Sequence, residues 1–460
     1  MEITPVPQEL AAYQNESIDY LTWIYDMDFK KTVLDLFQAS QSLKIAETWY
    51  WETPNRQQSM AGFGAVAQFI GEAAKPQKIN DWHKKQKTIV LPDSIELSGR
   101  TPSLVGAFPF MLQGHHPNDN MWGEFGDGFF FLPKIQILAN KKKKTILFNF
   151  SKKDLSVLEK SWSERVSLVQ KLSETLCSEE SVSSGIIKQI ELDIPAWMDL
   201  VEKTIKTLNG RTELAKVVTA RILEVESRDT LSSGQIMAAL REQQPNTYLF
   251  SLTKDSQTFI GSTPERLLKA TPSNFLTASI AGSTPRGATA AEDQHLGNEL
   301  LQDLKNRGEH QIVVDRIVTE LEQLSGTAIH LDEPTLLKNR DIQHLFLPIE
   351  APRVAQTSFL TAVETLHPTP ALGGEPKQLA LDFLAAHEPI HRGLYGAPVG
   401  WLSLTADCGE FAVGIRSALL DKHKGYLYAG CGIVKESQPT LELAETRVKF
   451  QPMLRGMGGK

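Results

Sequence analysis

The chain has few cysteines, no long apolar run and no apparent secretion segment. Cys177, Cys408 and Cys431 are its only cysteines, and their spacing gives neither a paired framework nor a CxxC metal motif. Such cysteine usage favours a reducing compartment. No apolar run approaches the ~18 residues that a membrane helix needs. The first residues, MEITPVPQELAAYQNES, lack the basic and apolar regions of a signal peptide. We therefore expect a cytoplasmic protein that makes no use of the membrane.

Basic residues are also scarce relative to acidic ones. The chain has 48 Lys and Arg against 55 Asp and Glu, a formal net charge of -7. Because a general nucleic-acid binder normally presents a basic surface, we expect no nucleic-acid partner. An anionic small molecule is not excluded, since a local cationic pocket can lie within an acidic protein. Hydrophobic residues make up 41% of the chain, enough for a sizeable core.

The first half of the chain, residues 1–195, mixes apolar strand-like runs with turns and has no internal repeat. Residues 135–138 and 145–150 are predicted as two strands that flank a run of lysines at 141–144. This run is interpreted as a solvated hairpin turn, because strand edges often carry lysine. A long amphipathic helix is predicted at 154–175, with Asp154 as its N-cap.

The second half, residues 196–460, alternates strand and helix patterns. Residues 215–222 and 411–420 are predicted as strands, the second because apolar residues alternate along it. Residues 293–324 have apolar residues at helical spacing. Strands followed by long helices, without regular βαβ spacing, predict an α+β layered fold. We expect the two halves to form one continuous structural unit.

Lys216, in ELAKVVTAR, lies on a predicted strand and shares a face with Val218, Ala220 and Ile222. Its ammonium group then points toward an apolar layer, where desolvation lowers a lysine pKa and makes the side chain a candidate general base. The alternative is a lysine at the strand end whose head group reaches water.

Glu265, in FIGSTPERLLKA, follows a Gly-Ser-Thr-Pro turn at the start of an apolar strand. A half-buried glutamate has a raised pKa and can act as a general acid. The alternative is an ordinary ion pair with Arg266 or Lys269.

Three glutamates form a candidate carboxylate group. Glu309 lies in KNRGEHQIVVDRI, and Glu442 and Glu445 lie in a helix predicted to begin at Pro439. Glu442, Glu445 and Lys449 share one face of that helix. They fit either a surface salt-bridge array or a Mg²⁺ site, because Mg²⁺ takes oxygen ligands.

Two glycines and an arginine suggest an anion site. Gly430 and Gly432 lie within the strand-like run YLYAGCGIV, where they let a ligand approach the backbone. Arg416 would supply a bidentate fork for a carboxylate.

One metal motif is rejected. The string His387-Glu388-Pro389-Ile390-His391 matches HExxH. That zinc motif needs an unbroken helix, and Pro389 lies inside it. We therefore expect no zinc here.

Taken together, these segments resemble the chorismate-utilising enzymes, which comprise anthranilate, aminodeoxychorismate, isochorismate and salicylate synthases. The resemblance covers residues 196–454 in ten collinear blocks, with weaker matches in the first half. In order, the blocks are ELAKVVTAR, FIGSTPERLL, SIAGSTPRG, LKNRGEHQIVV, DIQHL, LHPTPALGGEP, HRGLYGAPVGW, FAVGIRSALL, YAGCGIV and ELAETRVK.

The resemblance implies an α+β fold with two large antiparallel sheets, and a function for most of the residues above. Lys216 is implied as the base that activates water for attack at C2 of chorismate, and Glu265 as the acid that protonates the departing C4 hydroxyl. Glu309 and Glu445 are implied as direct Mg²⁺ ligands, and Glu442 as a ligand through water. The implied anchors of the enolpyruvyl carboxylate are Tyr395, Arg416, Gly432 and Lys449. Gly282 and His344 are implied to line the ring.

Within the family the chain is closest to isochorismate synthases. LHPTPALGG is similar to their sequence at this point, whereas ammonia-using members carry an HPAGTLSGAPK-like string. Salicylate synthases usually have threonine where this chain has Ala371, and lyase members commonly have glutamate where it has Asn306. The resemblance thus implies an enzyme that binds chorismate and Mg²⁺ and supplies menaquinone or siderophore biosynthesis. Independently of the resemblance, we expect a monomer. The alternatives are a salicylate or anthranilate-type synthase, a non-catalytic chorismate-binding protein and, least favoured, a zinc hydrolase.

Overall fold

A computed structural model provides the structure of the chain. It describes residues 5–14, 16–26, 30–92, 101–112, 121–141, 143–176, 185–210, 213–354 and 356–459. Cys177 lies outside the described residues. No described helix combines the length and apolar character needed to cross a membrane.

Within these residues the first half of the chain contributes eight strands and the second half twelve. The first eight are β1 (Tyr20–Asp26), β2 (Glu47–Glu52), β3 (Gln58–Ile70), β4 (Thr88–Leu91), β5 (Ser103–Ala107), β6 (Phe129–Asn140), β7 (Lys144–Ser151) and β8 (Ile186–Glu191). The others are β9 (Lys216–Ser227), β10 (Tyr248–Lys254), β11 (Gln257–Thr263), β12 (Arg266–Ala270), β13 (Asn274–Pro285), β14 (Thr335–Lys338), β15 (Ile342–Pro352), β16 (Gly374–Glu375), β17 (Pro398–Ser403), β18 (Gly409–Val413), β19 (Ser417–Asp421) and β20 (Lys424–Ile433).

Twelve α-helices lie between these strands. They are α1 (Gln8–Ala11), α2 (Val33–Ser42), α3 (Pro76–Lys85), α4 (Lys152–Leu155), α5 (Leu158–Glu174), α6 (Ile194–Leu208), α7 (Ser233–Gln243), α8 (Ala290–Gln302), α9 (Leu304–Ser325), α10 (Phe359–Leu366), α11 (Lys377–His387) and α12 (Pro439–Gly456).

Strand pairing divides the sheet into two arms that share β6. The first arm runs β4–β1–β7–β6–β3–β2–β10–β11–β19–β20–β9–β8, and the second runs β14–β15–β13–β12–β18–β17–β5–β6. Pairing is antiparallel throughout, except between β1 and β4. The predicted α+β class with large antiparallel sheets is therefore confirmed, and β6 makes the two sheets continuous.

The chain crosses between the two arms at a second place. β11 and β19 pair in the first arm, whereas the strands next to them in sequence, β12 and β18, pair in the second. Backbone hydrogen bonds join the two crossing segments, from Ser262 N to Arg416 O at 3.0 Å and from Val413 N to Glu265 O at 3.0 Å. The crossing therefore places Glu265 and Arg416 side by side.

The prediction of one strand over residues 411–420 is wrong at its centre. Arg416 has a φ of +48°, which a continuous strand does not allow. β18 accordingly ends at Val413 and β19 begins at Ser417. The predicted alternation of side chains is correct within β18 and within β19, but the two strands belong to different arms of the sheet.

Two predicted helices are also interrupted. Ser151, not Asp154, is the N-cap of α4; Asp154 completes a capping box three residues later, and a short break separates α4 from α5. In the second half Asp303 separates α8 from α9, and its side chain accepts a hydrogen bond from Asn306 N at 2.7 Å. The predicted hairpin is confirmed, with β6 beginning earlier than expected.

Apolar side chains fill the space between the two arms and beneath the helices. One core cluster contains residues of both arms, including Trp51 and Phe250 from the first and Phe275 and Phe411 from the second. A second cluster lies between the first arm and helices α2, α5, α7 and α12. The arms are thus held at a fixed separation, which sets the width of any cavity between them.

The tight junction of β5, β6 and β17 leads to a stability prediction. A Cβ atom at Gly106 would lie 2.1 Å from Phe129 O. We expect Gly106→Ala to lower the free energy of unfolding by about 3 kcal/mol, because strands must separate to admit the methyl group. Gly308→Ala is the control, since a Cβ atom there meets nothing within 4 Å. Chemical denaturation measures both, and equal stability of the two variants would contradict the described packing.

Candidate active site

A cavity of about 220 Å³ lies between the two arms, large enough for a small organic molecule. Twelve of the thirteen residues proposed from the sequence line it: Glu265, Gly282, Glu309, His344, Ala371, Tyr395, Arg416, Gly430, Gly432, Glu442, Glu445 and Lys449. The thirteenth, Lys216, contacts Glu309 in the wall. Residues that are up to 233 positions apart in sequence, from Lys216 to Lys449, therefore meet at one place.

Lys216 begins β9 and is buried, with 1% of its side chain exposed. Its Nζ lies 2.8 Å from Glu309 Oε1. Val218, on the same face of the strand, lines the cavity as the alternation predicts. Because the side chain is enclosed, the alternative of a lysine that reaches water is wrong.

Glu265 lies at the crossing between β11 and β12 and is 6% exposed. Burial raises the pKa of its carboxyl from 4.5 to about 7, although the positive charges of Arg416, Lys216 and Lys449 act in the opposite direction. A large fraction of the group is therefore protonated near neutral pH and able to donate a proton.

The alternative ion pair for Glu265 is not formed. Arg266 Nε lies 2.9 Å from Glu410 Oε1, and Lys269 Nζ lies 3.7 Å from Glu410 Oε2. Both neighbouring cations therefore face a different glutamate. The carboxyl of Glu265 is left to the cavity.

The three glutamates proposed as metal ligands line the same cavity, but two of them bind lysines. Glu309 pairs with Lys216, and Glu445 Oε1 lies 2.6 Å from Lys449 Nζ. Burial and then the charge of Glu445 raise the pKa of Glu442. No group of three acidic, histidine or cysteine side chains in the described ranges is close enough to hold a metal ion.

The donor set nevertheless fits a hard divalent cation. All three side chains offer carboxylate oxygens, which Mg²⁺ prefers. Mutual repulsion of Glu442 and Glu445 is the electrostatic situation that a bound cation relieves. Glu309 and Glu445 would have to exchange their lysine contacts for the ion.

Three other groups of the cavity suit an anion. Arg416 faces the cavity, and no group of the described chain accepts a hydrogen bond from its guanidinium. Lys449 Nζ donates to Gly430 O at 2.8 Å. The ring of Tyr395 stacks on that of Tyr428 with 5.2 Å between ring centroids. Burial raises the pKa of the Tyr395 hydroxyl. Tyr395 is therefore a neutral hydroxyl donor beside two cations.

His344 and Gly282 form another part of the wall. Burial lowers the pKa of His344 to about 3, so the ring is neutral. Its Nδ1 lies 2.8 Å from Ser283 Oγ, whereas its Nε2 has no partner in the part of the chain that the structure describes. Gly282 has a φ of +72°, and a Cβ atom there would lie 3.1 Å from Asn306. Glycine therefore suits this position because of its backbone conformation and because Asn306 leaves little room for a side chain.

The two glycines of β20 make room for side chains of the site. A Cβ atom at Gly432 would lie 2.5 Å from Lys216 Cε, and one at Gly430 would lie 3.1 Å from Tyr395 Oη. Because these two glycines have no side chains, the side chains of Lys216 and Tyr395 can lie against β20. Direct approach of a ligand to the glycine backbone stays a prediction.

Comparison with known proteins bears on this geometry. The family model described as chorismate binding enzyme matches residues 9–458. The chain belongs to the chorismate-binding enzymes.

Three similar proteins extend the comparison. The isochorismate synthase MenF of Bacillus subtilis is 30% identical over 93% of this chain and 91% of its own length. The salicylate biosynthesis isochorismate synthase of Pseudomonas aeruginosa is 32% identical over 89% of this chain and 85% of its own. Among solved structures, MenF, the menaquinone-specific isochorismate synthase of Escherichia coli, has a TM-score of 0.80 and 25% identity and covers 98% of both chains. The match to this family therefore includes the divergent first half.

Sequence reasoning missed several cavity residues of this chorismate-binding enzyme. Lys305 and Cys431 both line the cavity. Lys305 lies four residues before Glu309 on α9, so helical spacing was sufficient to identify it. Cys431 lies between Gly430 and Gly432, which were both proposed from the sequence. Strand alternation, however, predicts that Cys431 lies on the opposite face of the strand from these glycines.

The HExxH string does not form the unbroken helix that the zinc motif requires. Helix α11 ends at His387. Glu388 Oε2 accepts a hydrogen bond from Arg392 Nε at 2.6 Å, and its Oε1 accepts one from Ala220 N at 2.8 Å. The string therefore serves as structural support behind the cavity.

The buried carboxyl group of Glu265 predicts a pH dependence of stability. The pKa of Glu265 is higher in the folded state than in the unfolded state. The protonated carboxyl group therefore contributes fully to the free energy of unfolding below about pH 4.5, and this contribution is lost as the pH rises to about 7. Relative to Glu265→Gln, the wild type should lose about 3 kcal/mol over that window and no more above it. Urea denaturation at several pH values measures the difference, and a constant difference from pH 4.5 to 8 would contradict the raised pKa.

Proposed function

We propose that this protein is an isochorismate synthase, which converts chorismate to isochorismate. The observation that carries the proposal is that Glu265, whose pKa is raised to about 7, faces a cavity that also contains Arg416 and Lys449, and that a buried amine, Lys216, contacts Glu309 in the wall of that cavity. The similar proteins named above support the same activity. They are isochorismate synthases whose similarity extends over most of both chains.

The charges of the cavity complement the two carboxylates of chorismate. Arg416, Lys449 and the hydroxyl of Tyr395 would bind the enolpyruvyl carboxylate. Glu309, Glu442 and Glu445 would hold Mg²⁺, which would neutralise the ring carboxylate when bound. Gly282, His344 and Ala371 would lie against the ring.

Lys216 and Glu265 carry the proton transfers. Lys216 accepts a proton from the water that attacks C2. The ring double bonds shift, the bond from C4 to its hydroxyl breaks, and Glu265 donates the proton with which that hydroxyl leaves as water. One water is consumed and one released, so the product is an isomer of the substrate.

The alternatives within the family eliminate pyruvate or add ammonia. Ala371 and Asn306 line the cavity where those members carry other residues, which favours isomerisation without elimination. A non-catalytic chorismate-binding protein would have no need for the buried Lys216 and Glu265. These observations support the isomerase over both alternatives.

We further propose a cytoplasmic monomer, with residues 1–195 and 196–460 as one unit, that supplies menaquinone biosynthesis. Cys408 and Cys431 are free, as a reducing compartment requires. β2 pairs with β10 and β5 with β17, joining the two halves. Relatives named for menaquinone match almost the full chain, although one named for salicylate biosynthesis does so as well.

The function is tested by incubating the purified protein with chorismate and Mg²⁺, with and without ammonium, and measuring the product mass. We expect a product of the same mass as chorismate, independent of ammonium. A lighter product would show pyruvate elimination, and absence of turnover would support the non-catalytic alternative. Either result would overturn the proposal.

The proposed base predicts the effect of its removal. We expect Lys216→Ala to lower kcat by about 10²- to 10⁴-fold, the usual contribution of general acid–base catalysis, with the far-ultraviolet circular dichroism unchanged. Lys206→Ala, which removes an exposed lysine of α6, is the control and should leave kcat unchanged. Undiminished turnover by Lys216→Ala would refute its role as the base.

The proposed metal site predicts a change in magnesium dependence. Glu445→Gln should raise the half-saturating Mg²⁺ concentration by at least about tenfold and weaken chorismate binding with it. Glu436→Gln, at an exposed position before α12, is the matched control. Magnesium titrations that coincide for wild type and Glu445→Gln would exclude Glu445 as a ligand.

A further inference from the structure

The contact between Lys216 and Glu309 joins two elements that have no direct backbone connection. Lys216 begins strand β9, and Glu309 lies in the second turn of helix α9. Their N–O distance of 2.8 Å therefore depends on how firmly the helix is held against the strand. Side chains beyond the cavity must fix that relation.

The short strand β16 is attached directly to the strand segment that carries Lys216. Glu375 pairs with Lys216 and Gly374 with Val217. Backbone hydrogen bonds flank this pair, from Ala215 N to Glu375 O at 2.8 Å and from Val218 N to Gly373 O at 3.0 Å. The backbone of Glu375 thus moves with that of Lys216.

The side chain of Glu375 reaches the helix that carries Glu309. Arg316 Nε lies 3.3 Å from Glu375 Oε2 and 3.6 Å from Glu320 Oε1. Arg316 is seven residues after Glu309, which is about two helical turns, so both side chains lie on the same face of α9. One face of the helix therefore contacts β9 at the cavity and β16 behind it.

These contacts form a closed ring. It runs from Lys216 through strand pairing to Glu375, through the ion pair to Arg316, along two turns of α9 to Glu309, and back through the ion pair to Lys216. Because α9 is also held by buried apolar residues such as Val313 and Ile317, removing the distal ion pair would permit only a small shift at the end that bears Glu309.

We propose that Arg316 and Glu375 are positioning residues that set the distance between Lys216 and Glu309. As far as it concerns catalysis, the inference rests on the proposed function. Neither residue lines the cavity, so each acts through the residues that do. Their side chains are 30% and 24% exposed, but Arg316 Nε and Glu375 Oε2 are themselves buried, so glutamine is the substitution that keeps a polar group at each position.

Another nearby cation does not replace Arg316. Lys377 Nζ donates to Thr365 O at 2.7 Å, on the side of α10. Among the described residues Arg316 is the cation that forms an ion pair with Glu375.

The test compares Arg316→Gln, Glu375→Gln, their double variant and the conservative Arg316→Lys. Because small displacements of catalytic groups are costly, we expect each Gln variant to lower kcat by about ten- to a hundredfold with KM for chorismate changed much less. The double variant should have a kcat no lower than that of either single Gln variant, since all three variants break the same contact. Arg316→Lys should restore most of kcat.

Arg241→Gln is the matched control. It removes an ion pair between α7 and β2, with Arg241 Nε 2.9 Å from Glu52 Oε1 and a similar exposure of 31%, and it should leave kcat unchanged. Effects of Arg316→Gln and Glu375→Gln that multiply, or an equal loss of kcat in Arg241→Gln, would overturn the proposal.

A structural measurement keeps the inference testable without turnover. In crystals grown without divalent metal, we expect the distance from Lys216 Nζ to Glu309 Oε1 to exceed 4 Å in Arg316→Gln and to stay near 2.8 Å in Arg241→Gln. An unchanged distance in Arg316→Gln would refute the positioning role. Failure of wild-type turnover alone would refute the proposed function and leave this prediction standing.

Discussion

Burial of charges of both signs in one cavity is the constraint on which the rest of the structure depends. Removing an ion from water is costly unless other charges and hydrogen bonds replace the solvent. Here Lys216 is compensated by Glu309, and Lys449 by Glu445. Among the described residues Glu265 forms no such ion pair, and burial raises its pKa to about 7. The same compensation outweighs burial and lowers the pKa of Glu309, whereas burial raises that of Glu265, so Glu265 is the carboxyl group suited to the proton donation that we propose.

The fold meets this constraint by letting the chain cross between two sheets at the cavity. Regular strands satisfy their backbone groups with neighbours on both sides, but the crossing leaves the segments around Glu265 and Arg416 to pair with each other. Their side chains are therefore fixed by backbone hydrogen bonds rather than by long flexible loops. Strands β9 and β20 and helices α9 and α12 then bring the lysines, the metal-ligand candidates and the two glycines of β20, whereas β13 and β15 bring Gly282 and His344.

Local pattern predicted much of the fold and of the site. Alternation placed Lys216 on an inward face, and helical spacing placed Glu442 and Glu445 together. The resemblance to chorismate-utilising enzymes supplied residues that no spacing argument connects, such as Tyr395 and His344. The predicted magnesium contacts stay a prediction, since two of the three glutamates, Glu309 and Glu445, bind lysines in this structure.

Other features depend on tertiary pairing and were not predictable from local pattern. The strand at 411–420 divides because β18 and β19 belong to different arms, and alternation carries no information on sheet membership. The helix at 293–324 divides because Asp303 caps α9, which apolar periodicity does not reveal. Likewise, only the fold shows that Arg266 faces Glu410 rather than Glu265.

The most direct test of the account follows the oxygen atoms. If Lys216 activates solvent while Glu265 expels the existing hydroxyl, a brief incubation of chorismate with the enzyme and Mg²⁺ in water enriched in oxygen-18 must yield isochorismate that carries one heavy oxygen atom, at C2. Mass spectrometry of the product detects it. Isochorismate that forms without the heavy isotope would mean that the hydroxyl migrates within the substrate, and the assignment of base and acid across the cavity would be contradicted.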